Sequence, residues 1–186
     1  MNFIGEYQIS DEAVDELIDY WHVNKANAED GTVGNNRVDK KFKKSLEVMI
    51  TPKNLTNFLY RDELLKCLKQ YTSEYKFADD VEFYGIDHNT KIQYYDKGWG
   101  FYKWHVENDG SPNVITRHLV FSTYLNDVEN GGTEFLYQDC VTKAKKGSTI
   151  IFPAGWTHAH KGQISENQEK YIVTGWFNFF IGADCD

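Results

Sequence analysis

The chain has 186 residues, within the range of one domain with a real core, and 41% of them are hydrophobic and 16% aromatic. Its formal net charge of −8, and the interruption of short basic runs such as 143–146, exclude a phosphate-backbone partner, which needs a concentrated basic face. No stretch nears the roughly eighteen consecutive apolar residues of a membrane span, and no basic patch precedes an apolar run at the amino terminus. The expectation is a soluble cytoplasmic protein without nucleic-acid or membrane partners. Cys67, Cys140 and Cys185 are odd in number and widely spaced, without the pairing of a disulfide framework or cysteine zinc site.

In chain order, Ser10 is placed to cap a helix whose first turn carries Asp11 and Glu12, with Val14, Leu17, Ile18 and Trp21 on one face. From Asn24 to Lys41 the sequence is polar, with Gly31, Gly34, Asn35 and Asn36, and reads as a loop that could close over a site. Ser45 to Ile50 reads as a strand. Pro52 then opens a second helix to about Tyr75, with Leu55, Phe58, Leu59, Leu64, Leu65, Leu68 and Tyr71 as its buried stripe.

Beyond Phe77 short apolar runs alternate with Gly, Asn and Asp: 81–86, 91–95, 101–105, 117–125, 133–137, 148–152 and 170–181. Many short strands after two helices indicate an α+β, mainly β fold. The expected architecture is a double-stranded β-helix, a cupin-like jelly roll over 79–182, buttressed by a helical part over 1–78 within one domain, 1–186. The last strand is apolar on both faces, as in a strand covered on both sides.

Two stretches carry chemistry. The first, Tyr95 to Glu107, places His105 and Glu107 two apart, so that on a strand they share a face. The second, His158 to Trp176, offers His158 and His160 at the same parity, then Lys170 on the last strand. Two imidazoles and one carboxylate make the facial ligand set of non-haem Fe(II) oxygenases. Asp109 is a rival carboxylate in a turn beside Gly110, and His22, His88 and His118 lack suitable partners and read as structural.

Together these stretches resemble the prolyl 4-hydroxylase branch of the 2-oxoglutarate and Fe(II)-dependent dioxygenases, with its YxxG, YxxHxD, distal His and Lys ten positions later. Tyr95 and Gly98 match the first part, Tyr102 lies three before His105, Lys170 lies ten after His160, and Trp176 lies six beyond Lys170. The segment Tyr124 to Phe135 resembles the family's turn after the metal-bearing strand. The departures are Glu107 for the usual aspartate, one extra residue between Gly98 and Tyr102, and Ile164 where a proline is common.

The resemblance implies His105, Glu107 and His160 as metal ligands. It also implies Lys170, with Tyr95 or its neighbour Tyr94, on the far carboxylate of 2-oxoglutarate, and Tyr102 and Trp176 on the substrate side. The lysine spacing favours His160 over His158. The implied cofactors are Fe(II), 2-oxoglutarate and O2, with ascorbate as a candidate addition; the implied reaction is hydroxylation of a peptidyl proline with release of succinate and CO2. A free amino acid or small metabolite is the alternative substrate. A His2Glu zinc hydrolase and a non-catalytic cupin-like binding module are the readings from other classes.

Overall fold

The computed structural model describes residues 1–34 and 37–180, so Asn35, Asn36, Ile181 and Cys185 lie outside the described residues. The larger sheet has the order β1(Gly5–Gln8), β9(Ser148–Pro153), β6(Arg117–Tyr124), β11(Lys170–Phe179), β5(Thr90–Tyr95), β3(Leu46–Ile50), β2(Glu29–Asp30), with β4(Tyr84–Gly85) also on β11. The smaller sheet has the order β10(His160–Gly162), β7(Thr133–Phe135), β8(Cys140–Val141). All the pairings are antiparallel.

Strand parity sorts the two faces of the larger sheet. Ile92, Leu119, Phe121, Ile151, Val173 and Phe177 pack on one face against Val14, Leu17 and Trp21 of α1(Asp11–Asn24) and Leu64, Cys67 and Tyr71 of α3(Leu59–Glu74). On the other face, Val120, Ile150 and Phe152 meet Phe135 of the smaller sheet. Lys170, Thr174 and Trp176, with Tyr95, Gln93 and Lys91 across the β5–β11 register, share this second face. The two-sided last strand expected from sequence is thus observed, with its polar residues inside the double sheet.

Several elements differ from expectation. Residues 1–78 supply β1 and β2 to the larger sheet beside β3, the strand expected over 45–50, so that part is not only helical. The second helix is broken into α2(Pro52–Leu55) and α3, with Phe58 extended at φ −96° and ψ 137° between them. That break lets the Phe58 ring meet Tyr20 edge-on at 5.4 Å, and the first exposed N–H of α3, Leu59, donates to Glu16 Oε2 of α1 at 2.8 Å. A tertiary cap therefore replaces local helix continuity.

The expected strand over 101–105 is a strap instead. Tyr102 N donates to Phe42 O at 2.8 Å, His105 pairs with His160, and Glu107 N and Asn108 N donate to Ala154 O at 3.2 and 2.9 Å. Its partners change every few residues, so no continuous ladder forms. The Asn24–Lys41 segment is likewise docked rather than free where it is described: Gly31 N donates to Ser45 O at 2.9 Å. No helix among the described residues is long and apolar enough to cross a membrane.

Phe177 is fully buried, with its ring 5.2 Å from that of Phe121 at the sheet–helix interface. Phe177→Ala is expected to cost about 3–5 kcal/mol in denaturant unfolding; a loss under about 1 kcal/mol would contradict the assignment of the core.

Candidate metal centre

His105 and His160 are joined by two reciprocal backbone hydrogen bonds, His105 N to His160 O at 3.0 Å and His160 N to His105 O at 2.9 Å. This isolated bridge sets the two imidazoles side by side, ring centroids 4.3 Å apart. Each Nδ1 then meets a backbone carbonyl, Lys103 O for His105 at 3.1 Å and His158 O for His160 at 2.9 Å. A carbonyl only accepts, so Nδ1 carries the proton and Nε2 keeps its lone pair, the tautomer a metal ligand needs. The Phe101 ring stacks on His105 with centroids 3.5 Å apart and a 6° interplanar angle, fixing that imidazole and screening it from water.

Both Nε2 atoms point at Glu107 Oε1, at 3.5 Å from His105 and 3.7 Å from His160. These are too long for good hydrogen bonds. The first is within, and the second slightly above, the roughly 3 to 3.5 Å between two ligand atoms that share one ion with bonds of about 2.1 Å. One ligand atom from each of His105, Glu107 and His160 lies within 4.8 Å of the others, so the donor set fits a divalent metal. Burial holds the His105 imidazole below its ordinary pKa, and the neighbouring His160 adds to the effect, favouring the neutral ring. Burial alone would raise the Glu107 carboxyl, yet the polar groups around it hold it well below the usual carboxylate range.

The other oxygen, Glu107 Oε2, accepts from Trp176 Nε1 at 3.1 Å and Arg117 Nη1 at 3.0 Å, and Arg117 Nη1 also reaches Glu107 O at 2.8 Å. The Arg117 guanidinium lies 3.6 Å above the Trp176 ring. Together they leave Oε1 for the metal and fix the longer glutamate side chain. Sequence reading placed Trp176 on the substrate side; the structure adds its hydrogen bond to Glu107. Arg117 was read only as the start of a strand, because nothing local to an Arg-His pair signals a carboxylate ten residues upstream.

His158 lies outside this cluster. It ends a short 3-10 turn, its Nε2 faces Asn2 O at 2.9 Å and its Nδ1 faces Thr157 Oγ1 at 3.0 Å. The equal parity read from sequence lapses because the turn interrupts extended backbone. Asp109 forms its own turn, accepting from Ser111 N at 2.9 Å, and is not in the cluster.

Lys170 is buried on the same sheet face, and among the described residues its ammonium bonds only to the carbonyls of Gly131 at 3.1 Å and Gln163 at 2.8 Å. Burial lowers its pKa to about 8. The close approach depends on the turn ahead of β7. A Cβ on Gly132 would lie 1.8 Å from Thr142 O, so only glycine lets the segment that presents Gly131 O sit there.

Tyr95 pairs directly with Lys170 across β5 and β11, and its ring centroid is 5.2 Å from the ammonium. Tyr94 points to the helix face, stacked on Trp21, so Tyr95 is the tyrosine beside Lys170. The Tyr95 hydroxyl donates to Gln93 Oε1 at 3.1 Å. Tyr102 donates to Gly98 O at 3.0 Å, closing the strap on itself. Tyr124, read from sequence only as the start of the Tyr124 to Phe135 turn segment, is buried on the same face as Ile172 and bonds Thr133 and Thr142 at 2.8 and 2.9 Å.

Residues 90–178, which hold the triad and Lys170, match the family model of the 2OG-Fe(II) oxygenase superfamily. Three solved structures are similar. The viral collagen prolyl hydroxylase of Paramecium bursaria Chlorella virus-1, in its 2OG complex, is 19% identical, with a TM-score of 0.71 over 96% of this chain and 97% of that one. A Pseudomonas putida prolyl-4-hydroxylase is 17% identical, with a TM-score of 0.71 and coverage of 96% and 94%. A Trichoplax adhaerens prolyl hydroxylase, in complex with a hypoxia inducible factor oxygen degradation domain peptide fragment, is 16% identical, with a TM-score of 0.71 and coverage of 96% and 84%. A search of curated protein sequences finds no match.

Removing the indole donor tests how the carboxylate is held. Trp176→Phe is expected to weaken metal affinity about 10-fold or more in anaerobic Fe(II) titration while leaving the fold intact; unchanged affinity would contradict the role given to its N–H.

Proposed function

We propose that this member of the 2OG-Fe(II) oxygenase superfamily hydroxylates a prolyl residue, with His105, Glu107 and His160 holding Fe(II) and Lys170 holding the far carboxylate of 2-oxoglutarate. One observation carries the reading: two imidazoles held by carbonyls at Nδ1 and one carboxylate converge on one point, on the side of the larger sheet that also buries an ammonium with only neutral acceptors. A buried charge is retained at high cost unless an anion meets it, so Lys170 is suited to a dicarboxylate. The prolyl assignment is supported by the three similar structures, all prolyl hydroxylases, one of them with a peptide bound.

With Fe(II) bound, 2-oxoglutarate and O2 supply the oxidation, giving succinate and CO2 as a substrate C–H becomes C–OH. The protein's part is positional. His105 and His160 present fixed lone pairs, and Trp176 and Arg117 steer Glu107 Oε1 toward the same point. Lys170 has one N–H beyond the two spent on carbonyls, which it offers to a carboxylate as a point charge. Tyr95 forms the aromatic wall beside it, and Tyr102 and Trp176 bound the substrate side. Cys67 and Cys140 form no disulfide among the described residues, in keeping with a cytoplasmic location.

Anaerobic Fe(II) plus 2-oxoglutarate is expected to give a weak visible charge-transfer band, which zinc cannot give, and oxygen should then release succinate in step with hydroxylated proline. Absence of the band with iron bound would contradict the reading. Lys170→Ala is expected to weaken 2-oxoglutarate binding by at least about 10-fold while sparing metal uptake; equal loss of both would remove its assigned role.

A pH dependence follows from Lys170. Its ammonium titrates near pH 8 in the ligand-free protein, and a bound dianion raises that value. 2-Oxoglutarate affinity should therefore be level below pH 8 and fall about tenfold per unit above it, with Fe(II) affinity unchanged. Affinity that rises with pH in calorimetric titration would contradict the assignment.

A further inference from the structure

On the metal-bearing face of the larger sheet, toward its β3 edge, lies a buried ionic cluster that the reaction described above does not use. Glu47 of β3 bonds Lys43, Ser45 at 3.3 Å, Gln93 Nε2 at 2.9 Å and Lys91 Nζ at 3.2 Å. The side chains of Lys43, Glu47 and Lys91 are 4%, 1% and 18% exposed. Two ammoniums thus share one carboxylate, which leaves one positive charge unbalanced in a buried place. Lys91 is the open member: its one hydrogen bond is to Glu47, and its other N–H groups are free among the described residues.

The cluster borders the metal centre. Lys91 sits directly across from Thr174, whose hydroxyl bonds Ser122 at 2.8 Å, and Trp176, two residues farther along β11, holds Glu107. Lys43 lies 5.6 Å from the centre of the Phe101 ring, which in turn stacks on His105. The cluster is closely covered on its far side. A Cβ on Gly31 would fall 2.0 Å from Ser45 Oγ and 2.8 Å from Glu47 Oε1, so the 28–34 segment presses on it. On the other side Lys91 shares the interior face of the double sheet with Thr174 and Ser122.

We propose that Lys91, held by Glu47 and backed by Lys43, is an anion subsite that recognises a carboxylate carried by the substrate close to the carbon that reacts. This rests on the hydroxylase reading above, and it is separate from the Lys170 position. Burial lowers the Lys43 pKa, and Lys91 adds to that against the pull of Glu47 and, more weakly, of Glu107. The carboxylate could be the terminus of a free amino acid or an acidic side chain beside a prolyl residue.

The test is calorimetric binding to the protein as isolated and to the anaerobic Fe(II)–2-oxoglutarate form, with three matched probe pairs. They are N-acetyl-L-proline against N-acetyl-L-prolinamide, acetyl-Pro-Glu-amide against acetyl-Pro-Gln-amide, and N-acetyl-L-leucine against its amide. The expected result is at least about tenfold tighter binding of a carboxylate over its neutral partner, abolished by Lys91→Met with 2-oxoglutarate affinity unchanged. Preference within the first pair identifies a terminal carboxylate, and preference within the second an acidic side chain. Preference within the leucine pair alone keeps the subsite but removes the prolyl reading. No preference in any pair in the wild-type protein overturns the subsite, as does a preference that survives Lys91→Met.

Discussion

The whole centre depends on one short contact, the pair of backbone hydrogen bonds between His105 and His160. These residues are separated by the whole of β6 to β9, and neither is in a long ladder at the point of contact. The two bonds are modest in net free energy, of order 1 kcal/mol each. Their importance is geometric, because a shift of one residue would turn either imidazole away. They are enforced from outside: β10 is paired to β7, and the strap is pinned at Phe42 on one side and Ala154 on the other. The helices on the far face pack against the larger sheet and bury its apolar side.

Around that contact the chain separates the tasks of binding and of orientation. Carbonyls at Lys103 and His158 fix the tautomers, and the indole and guanidinium fix the carboxylate. Gly131 and Gln163 hold the Lys170 ammonium without neutralising it. Each supporting group is neutral or already bonded except where a ligand is to come, which is how a buried polar site avoids collapsing onto itself. The second buried cationic cluster, around Glu47, follows the same pattern on the same face and is linked to the Lys170 position through Gln93 and Tyr95.

The motif residues were legible in the sequence because their spacings reflect local rules. Lys170 and Trp176 share a strand face by parity, and the order of short apolar runs gave the β-rich architecture and its helical buttress. What escaped was non-local. Lys43, Glu47 and Lys91 look like ordinary solvated charges until two strands bring them together under Gly31. Arg117 and Gln93 acquire meaning only from partners in other elements. The short strands β1, β8 and β10 escaped as well, since pairing rather than propensity makes them strands. His158 was separable from His160 only once the 3-10 turn was visible.

The most direct measurement is the crystal structure of the protein grown anaerobically with Fe(II) and 2-oxoglutarate, with anomalous data at the iron edge. The account predicts one anomalous peak bonded to His105 Nε2, Glu107 Oε1 and His160 Nε2, with the far carboxylate of 2-oxoglutarate on the Lys170 ammonium. An iron peak away from those three atoms, or a carboxylate that leaves Lys170 unpaired, would contradict it.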